Sequence, residues 1–269
     1  MLKILVIGAH PDDCDALAGG TAALWIKRGD QVRFVSLTSG NAGHHTMKPK
    51  ELAERRRAEA KRAGAIIGVE YDVLDLDDGR LEPSVERREE VIRLIRRHAP
   101  DLVLTHRPND YHPDHRYTAV LVQDSSYMVT VPLICPDTPH LRVNPVIAYF
   151  ADDFTRPNAF TADVAVDVDS VMDLKWAMLH SHVSQFYEWL PYNDRREAEV
   201  PAGDAERLAW LKQRWSLRLQ DIAEKHRDTL ARTYGADHAA DVEYAEAFEV
   251  SEYGDRPRMD VLRKLFPVR

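Results

Sequence analysis

Apolar and polar positions fall into alternating blocks along the first half of the chain. Short apolar runs give way to longer stretches in which apolar residues recur every three or four positions. The runs Ile4–Ile7, Val32–Leu37, Val73–Leu76 and Leu102–Thr105 predict strands, and Leu17–Lys27, Glu51–Ile67, Val85–Arg97 and Asp114–Met128 predict helices after them. This alternation points to βαβ units and an α/β, Rossmann-like fold: a mostly parallel sheet with helices on both faces. Gly29-Asp30 and Gly68 punctuate helix ends, and His98-Ala99-Pro100-Asp101 separates the third helix from the next strand.

The second half is less regular. Pro132–Pro145 reads as a proline-rich surface excursion, Val146–Phe150 and Val164–Val168 as further strands, Asp169–His182 as a helix, and Ala205–Tyr234 as one or two long helices. No repeat, low-complexity segment or break in composition divides the chain, so residues 1–269 are expected to form one domain.

Composition narrows the function classes. With 44% hydrophobic and 30% charged residues over 269 positions, the chain can bury a large core without disulfides. Cys14 and Cys135 lack a CxxC partner, which suits a reducing compartment. The start of the chain is too short for a signal h-region and no apolar run reaches the roughly 18 residues of a membrane span, so a cytoplasmic location is expected. A net charge of −8 argues against nucleic acid as a partner. The Arg-rich stretches around Arg55-Arg56-Arg57 and Arg96-Arg97 carry interspersed Glu and read as solvated helix faces.

Two segments carry candidate chemistry. Ala9-His10-Pro11-Asp12-Asp13 lies where a strand ends and a helix begins, with Pro11 suited to the first helical turn. Asp110-Tyr111-His112-Pro113-Asp114-His115 repeats that design about a hundred residues later. Both are expected at the carboxyl edge of the sheet, where open α/β folds hold their ligands. Together they offer imidazoles and carboxylates in the composition of a zinc site, in which three protein ligands leave a position open. A spare carboxylate such as Asp12 then serves as base, and a spare imidazole such as His112 supports an oxyanion. Taken singly, each His-Pro-Asp is equally well a helix start; the pair is hard to explain as packing. Nucleotide binding is disfavoured, because Gly8, Gly19 and Gly20 do not form Gly-x-Gly-x-x-Gly and the strand ending Leu37-Thr38-Ser39 lacks an acidic ribose ligand.

These residues resemble the LmbE-like, or PIG-L, zinc-dependent deacetylases, which act on N-acetylglucosaminyl compounds. The resemblance takes in Ala9–Asp13, Gly19-Gly20-Thr21, Arg56 to Glu59, His112–His115, Ser184-Gln185-Phe186 and Glu243–Phe248, and so spans nearly the whole chain. It implies that His10, Asp13 and His115 bind the metal, zinc or another divalent ion such as Fe2+. It further implies that Asp12 is the general base, that His112 stabilises the tetrahedral intermediate with Asp114 fixing its tautomer, and that Arg56 contacts substrate. Cys14 departs from the Glu common after HPDD, which leaves nearby substrate contacts open. The implied activity is hydrolysis of a linear amide C–N bond in an amino-sugar conjugate, by a homo-oligomer; Trp189, Trp210 and Trp215 in the less regular half also point to assembly. The alternatives are a catalytically silent sugar-conjugate binding protein of the same fold and a nucleotide-binding oxidoreductase. In the loop Ser39–His45, His44 and His45 read as flexible surface residues, and His106, His180 and His182 as structural ones.

Overall fold

The computed structural model describes residues 1–268. Seven strands form one sheet in the order β3-β2-β1-β4-β5-β7-β6. They are β1 (Lys3–Gly8), β2 (Gln31–Thr38), β3 (Glu70–Leu76), β4 (Leu102–Thr105), β5 (Val146–Phe150), β6 (Val164–Asp167) and β7 (Ala245–Gly254). The first five run parallel, and β7 is antiparallel to both β5 and β6. The helices are α1 (Asp13–Arg28), α2 (Pro49–Ile67), α3 (Val85–His98), α4 (Pro113–Met128), α5 (Met172–Ser181), α6 (Leu190–Asn193), α7 (Asp204–Lys225), α8 (Arg227–Tyr234), α9 (Ala236–Asp241) and α10 (Met259–Leu265).

The two-residue period of a strand sorts β1 between two cores. Ile4 and Val6 face the layer holding Trp25, Phe34, Met178 and Leu211, whereas Leu5 and Ile7 face Ile92, Ile95, Leu121 and Val122. Gly29 and Gly68 end α1 and α2 in the left-handed conformation, at φ 89° and 75°. The mostly parallel α/β sheet with helices around it agrees with the sequence pattern. The expected long helical stretch is two helices, α7 and α8, and α1 begins at Asp13 instead of Leu17.

The pattern misses one strand and one expectation fails. The apolar pattern does not predict β7, because buried Glu246 interrupts its apolar run. The Arg-rich faces are not wholly solvated: Arg96 is 4% exposed and donates to the carbonyl oxygens of Met128, Val129, Val131, Ile134, Cys135 and Thr138. A rigid five-donor guanidinium thereby ties the proline-rich excursion to the end of α4. None of the helices is long and apolar enough to cross a membrane, among the described residues.

What matters for the site is the order of strands at the centre. From β1 the chain moves outward to β2 and β3, then returns to place β4 on the other side of β1. The crevice beyond the carboxyl ends of β1 and β4 is therefore the topological switch point, where such sheets bind ligands.

Candidate metal centre

The turn after β1 brings His10, Asp12 and Asp13 to this crevice, and the segment between β4 and α4 brings His106, Asp110, His112, Asp114 and His115. His10 Nδ1 lies 3.1 Å from His115 Nε2. Asp13 approaches both, with Oδ2 3.6 Å from His10 Nδ1 and Oδ1 3.5 Å from His115 Nε2. Donors at about 2.0–2.1 Å from a tetrahedral ion stand roughly 3.3 Å apart, so these separations fit one. Donor atoms of His10, His112 and His115 also lie within 4.8 Å of one another, as do those of Asp13, His106 and His115.

The outer nitrogens strengthen the fit. His10 Nε2 meets Asp78 Oδ1 at 3.1 Å, and His115 Nδ1 meets Asp110 Oδ1 at 3.0 Å. A carboxylate accepts, so each outer nitrogen carries the proton and the two inner nitrogens face each other as lone pairs. That arrangement requires a cation between the rings or a proton on one of them. A carboxylate behind a ligating histidine is the usual support of a metal site. Burial opposes charging His10, yet Asp114, Asp13 and Asp78 together raise its pKa well above the ordinary value. Burial likewise opposes ionisation of Asp78, but the His10 hydrogen bond and neighbouring charges bring its carboxyl down to about 2.

The two adjacent aspartates are separated by helix geometry, which turns neighbouring residues about 100° apart. Asp13 Oδ2 accepts from the backbone N–H groups of Ala9 and His10, at 2.9 and 2.7 Å, and from His106 at 3.1 Å. Asp12 occupies the N-cap of α1 without capping it. Its Oδ1 instead accepts from Arg56 Nη2 at 2.8 Å, and Oδ2 makes no hydrogen bond among the described residues. Arg56 is 3% exposed and also donates to the Gly40 carbonyl at 3.1 Å. Gly40 sits at φ 65°, and a Cβ there would fall 2.3 Å from Arg56 Nη1, so only glycine admits the guanidinium.

His112 is the N-cap of α4, and its Nδ1 accepts from the Asp114 backbone N–H at 3.1 Å. The remaining proton is therefore on Nε2 in the neutral ring. Burial, followed by the charges of His10 and His115, lowers the His112 pKa and favours that neutral form. The Asp114 carboxylate does not hold His112, contrary to the sequence expectation. It accepts from the backbone N–H groups of Gly79 and Leu81 and lies 3.5 Å from His10 Nε2.

Several residues were misplaced or missed. Arg56, expected to contact substrate, is buried on α2 and reaches the Asp12 carboxylate and the Gly40 carbonyl. His106 stacks on His115 with ring centroids 4.0 Å apart, at the centre of the cluster. It directly follows a strand ending at this edge, the same signal that marked His10. Asp78 lies in a loop without a recognisable pattern, and Asp110 opens the Asp110–His115 segment but has no role assigned to it by the sequence. His44 belongs to an ordered arrangement: its Nε2 meets Glu188 at 2.8 Å, and its ring stacks on His45, which stacks on Tyr192 at 4.0 Å. Cys14 is buried, with its thiol toward the Val6 and Val35 carbonyls instead of the cavity.

Fold and site together define an α/β protein with a histidine–carboxylate cluster able to hold a metal ion at its switch point. The family model PIG-L, GlcNAc-PI de-N-acetylase, matches residues 5–126. Diacetylchitobiose deacetylase of Thermococcus kodakarensis is 34% identical over 207 residues, covering 71% of this chain and 74% of that protein. The chain belongs to the PIG-L family. N,N'-diacetylchitobiose deacetylase from Pyrococcus horikoshii, solved with an inhibitor, superposes with a TM-score of 0.71 at 25% identity, covering 93% of this chain and 83% of that one. The 4-carboxy-2-hydroxymuconate hydratase GalB from Pseudomonas putida superposes at 0.74 with 21% identity, covering 96% and 99%. One fold thus carries two kinds of reaction, and the site must decide between them.

Proposed function

We propose that the protein is a metal-dependent deacylase that removes acetyl from an N-acetylated amino-sugar conjugate. The observation that carries this reading is the Asp12 carboxylate, which occupies an N-cap, caps nothing, and keeps one oxygen free beside the histidine cluster. Capping by Asp stabilises a helix by about 1 kcal/mol, so a side chain held away from that role by Arg56 is placed for another. His10, Asp13 and His115 would hold the metal, with zinc suited to mixed imidazole and carboxylate donors and Fe2+ as a second choice. Bound there, such an ion supplies Lewis acidity toward the amide carbonyl and toward water.

The chain's own groups account for the proton movements. Asp12 accepts a proton from the attacking water at its free oxygen while the water oxygen bonds to the acyl carbon. His112 donates from Nε2 to the oxyanion that develops. As the C–N bond breaks, Asp12 returns the proton to the leaving nitrogen, giving acetate and a free amine. Arg56 positions Asp12 throughout.

Charge separates this reading from hydration of an unsaturated polyacid. The cavity beside Asp12 is lined by Asp12, Asp13, Asp110, Asp152 and Asp153 against Arg107 and Arg218. Arg107 is already engaged by Asp152, at 2.9 and 3.1 Å. Such a lining disfavours a polycarboxylate and favours a neutral amide whose product is an ammonium ion. A silent binding protein would need neither a free Asp12 nor an Nε2–H on His112.

The test is acetate release from N,N'-diacetylchitobiose and methyl N-acetylglucosaminide by protein loaded with zinc or Fe2+. Release that disappears with a chelator and returns with metal is expected. Folded, metal-loaded protein that frees no acetate from any N-acetylglucosaminyl compound would overturn the proposal.

A further inference from the structure

Trp215 and Arg218 belong to two cavities at once. Both line the inner cavity of about 210 Å³ beside Asp12, and both line a groove of about 750 Å³ along α7. The inner cavity is smaller than the roughly 300–1,000 Å³ of most small-molecule sites. A sugar conjugate seated by its acyl group at Asp12 therefore extends beyond this cavity, and the shared residues Trp215 and Arg218 open one path outward into the groove.

The two cavities differ in charge. Aspartates dominate the inner one, whereas the groove sets Arg196, Arg214 and Arg218 against Glu199. Arg196 pairs with Glu199 and Arg214 with Asp194. Arg218 is exposed and makes no ion pair or hydrogen bond among the described residues. Its surroundings are fixed by packing: the Arg214 guanidinium lies 5.6 Å from the Trp210 ring centre, and Trp215 packs against Phe186 at 4.8 Å. Trp210, Arg214 and Arg218 recur four residues apart, on one face of α7. With Arg214 balanced by Asp194 and Arg196 by Glu199, Arg218 is the uncompensated cation of this groove among the described residues, and it stands where the groove meets the reaction cavity.

We infer that the α7 groove is the subsite for the rest of the conjugate, and that Arg218 selects substrates whose aglycone carries a carboxylate or a phosphate. A guanidinium suits either anion through paired N–H donors, and Trp215 supplies an apolar surface for the intervening sugar or linker. This rests on the deacylase reading of the inner cavity.

The test compares butyl, 3-carboxypropyl and 3-phosphonooxypropyl glycosides of N-acetylglucosamine on metal-loaded protein. At least one anionic glycoside should be preferred in kcat/KM, and which one identifies the anion. In Arg218→Ala the preference should fall about five- to tenfold, mainly through KM, with partial recovery in Arg218→Lys. Equal turnover of charged and uncharged glycosides, or a preference unchanged in Arg218→Ala, overturns the subsite while leaving the deacylase reading intact. If no glycoside is hydrolysed, the deacylase reading fails. Calorimetric binding of the corresponding glucosamine glycosides then decides the subsite: Arg218-dependent preference for the charged ligands supports it, and its absence overturns it.

Discussion

Asp12 and Asp13 show how one residue of spacing divides two roles between identical side chains. Asp13 is pulled back over the turn by the N–H groups of Ala9 and His10, and Asp12 is drawn sideways by Arg56. The residues next outward deserve a test of their own. Asp110 holds the outer nitrogen of His115 at 3.0 Å, so Asp110→Ala should weaken metal affinity by about 10- to 100-fold with the inner donors intact. Metal competition with a chromogenic chelator measures this, and an unchanged affinity would remove Asp110 from the site. At this scale the sequence was informative wherever a strand ran directly into His-Pro-Asp. It was silent on Asp78, whose meeting with His10 depends on strand order across 68 positions, and it assigned no role to Asp110, although that residue stands only five positions before His115. The proposed work of Asp114 passes from carboxylate to backbone: its N–H fixes the His112 tautomer.

Between elements, segments that are individually weak motifs prove to be halves of buried contacts. Ser184 donates through its backbone N–H and hydroxyl to Glu59, joining α2 to the segment after α5. Glu246 on β7 accepts from the backbone N–H groups of Gly20 and Thr21, at 2.9 and 2.7 Å, and pairs with buried Lys175. Gly20 is required there, since a Cβ would come within 2.8 Å of Val168. α1, which begins at the two aspartates, is thus held against both β7 and α5. Glu246→Gln leaves Lys175 charged and buried, and should lower unfolding free energy by about 3–5 kcal/mol in urea titration. Joint replacement, Lys175→Met with Glu246→Leu, should recover much of the loss; an unaltered Glu246→Gln midpoint would show that the pair does not secure α1. Periodicity displayed the helices and parallel strands well, but it could not display β7. A charge pointing into the core hides a strand from any reading that equates burial with apolarity.

For the whole molecule, the decisive feature is the return of the chain across β1 to form β4, which gathers two distant loops at one crevice. This placement was legible in advance, because alternating strands and helices restrict where such loops can meet. The charge pattern was not legible: a net −8 conceals an acidic inner cavity beside a basic groove on α7. Trp210 and Trp215, which in the sequence point to assembly, sit against Tyr187 and Phe186 of the same chain, and so give no reason to invoke a partner.

The central claim is that one aspartate holds the metal while its neighbour moves the proton. Metal content and acetate release, measured side by side in the wild type, Asp12→Asn and Asp13→Ala, test it most directly. Asp12→Asn should keep its metal and lose about 10²–10⁴ in rate, whereas Asp13→Ala should lose the metal and activity with it. Near-normal deacetylation by metal-loaded Asp12→Asn, or full metal content in folded Asp13→Ala, would contradict the account.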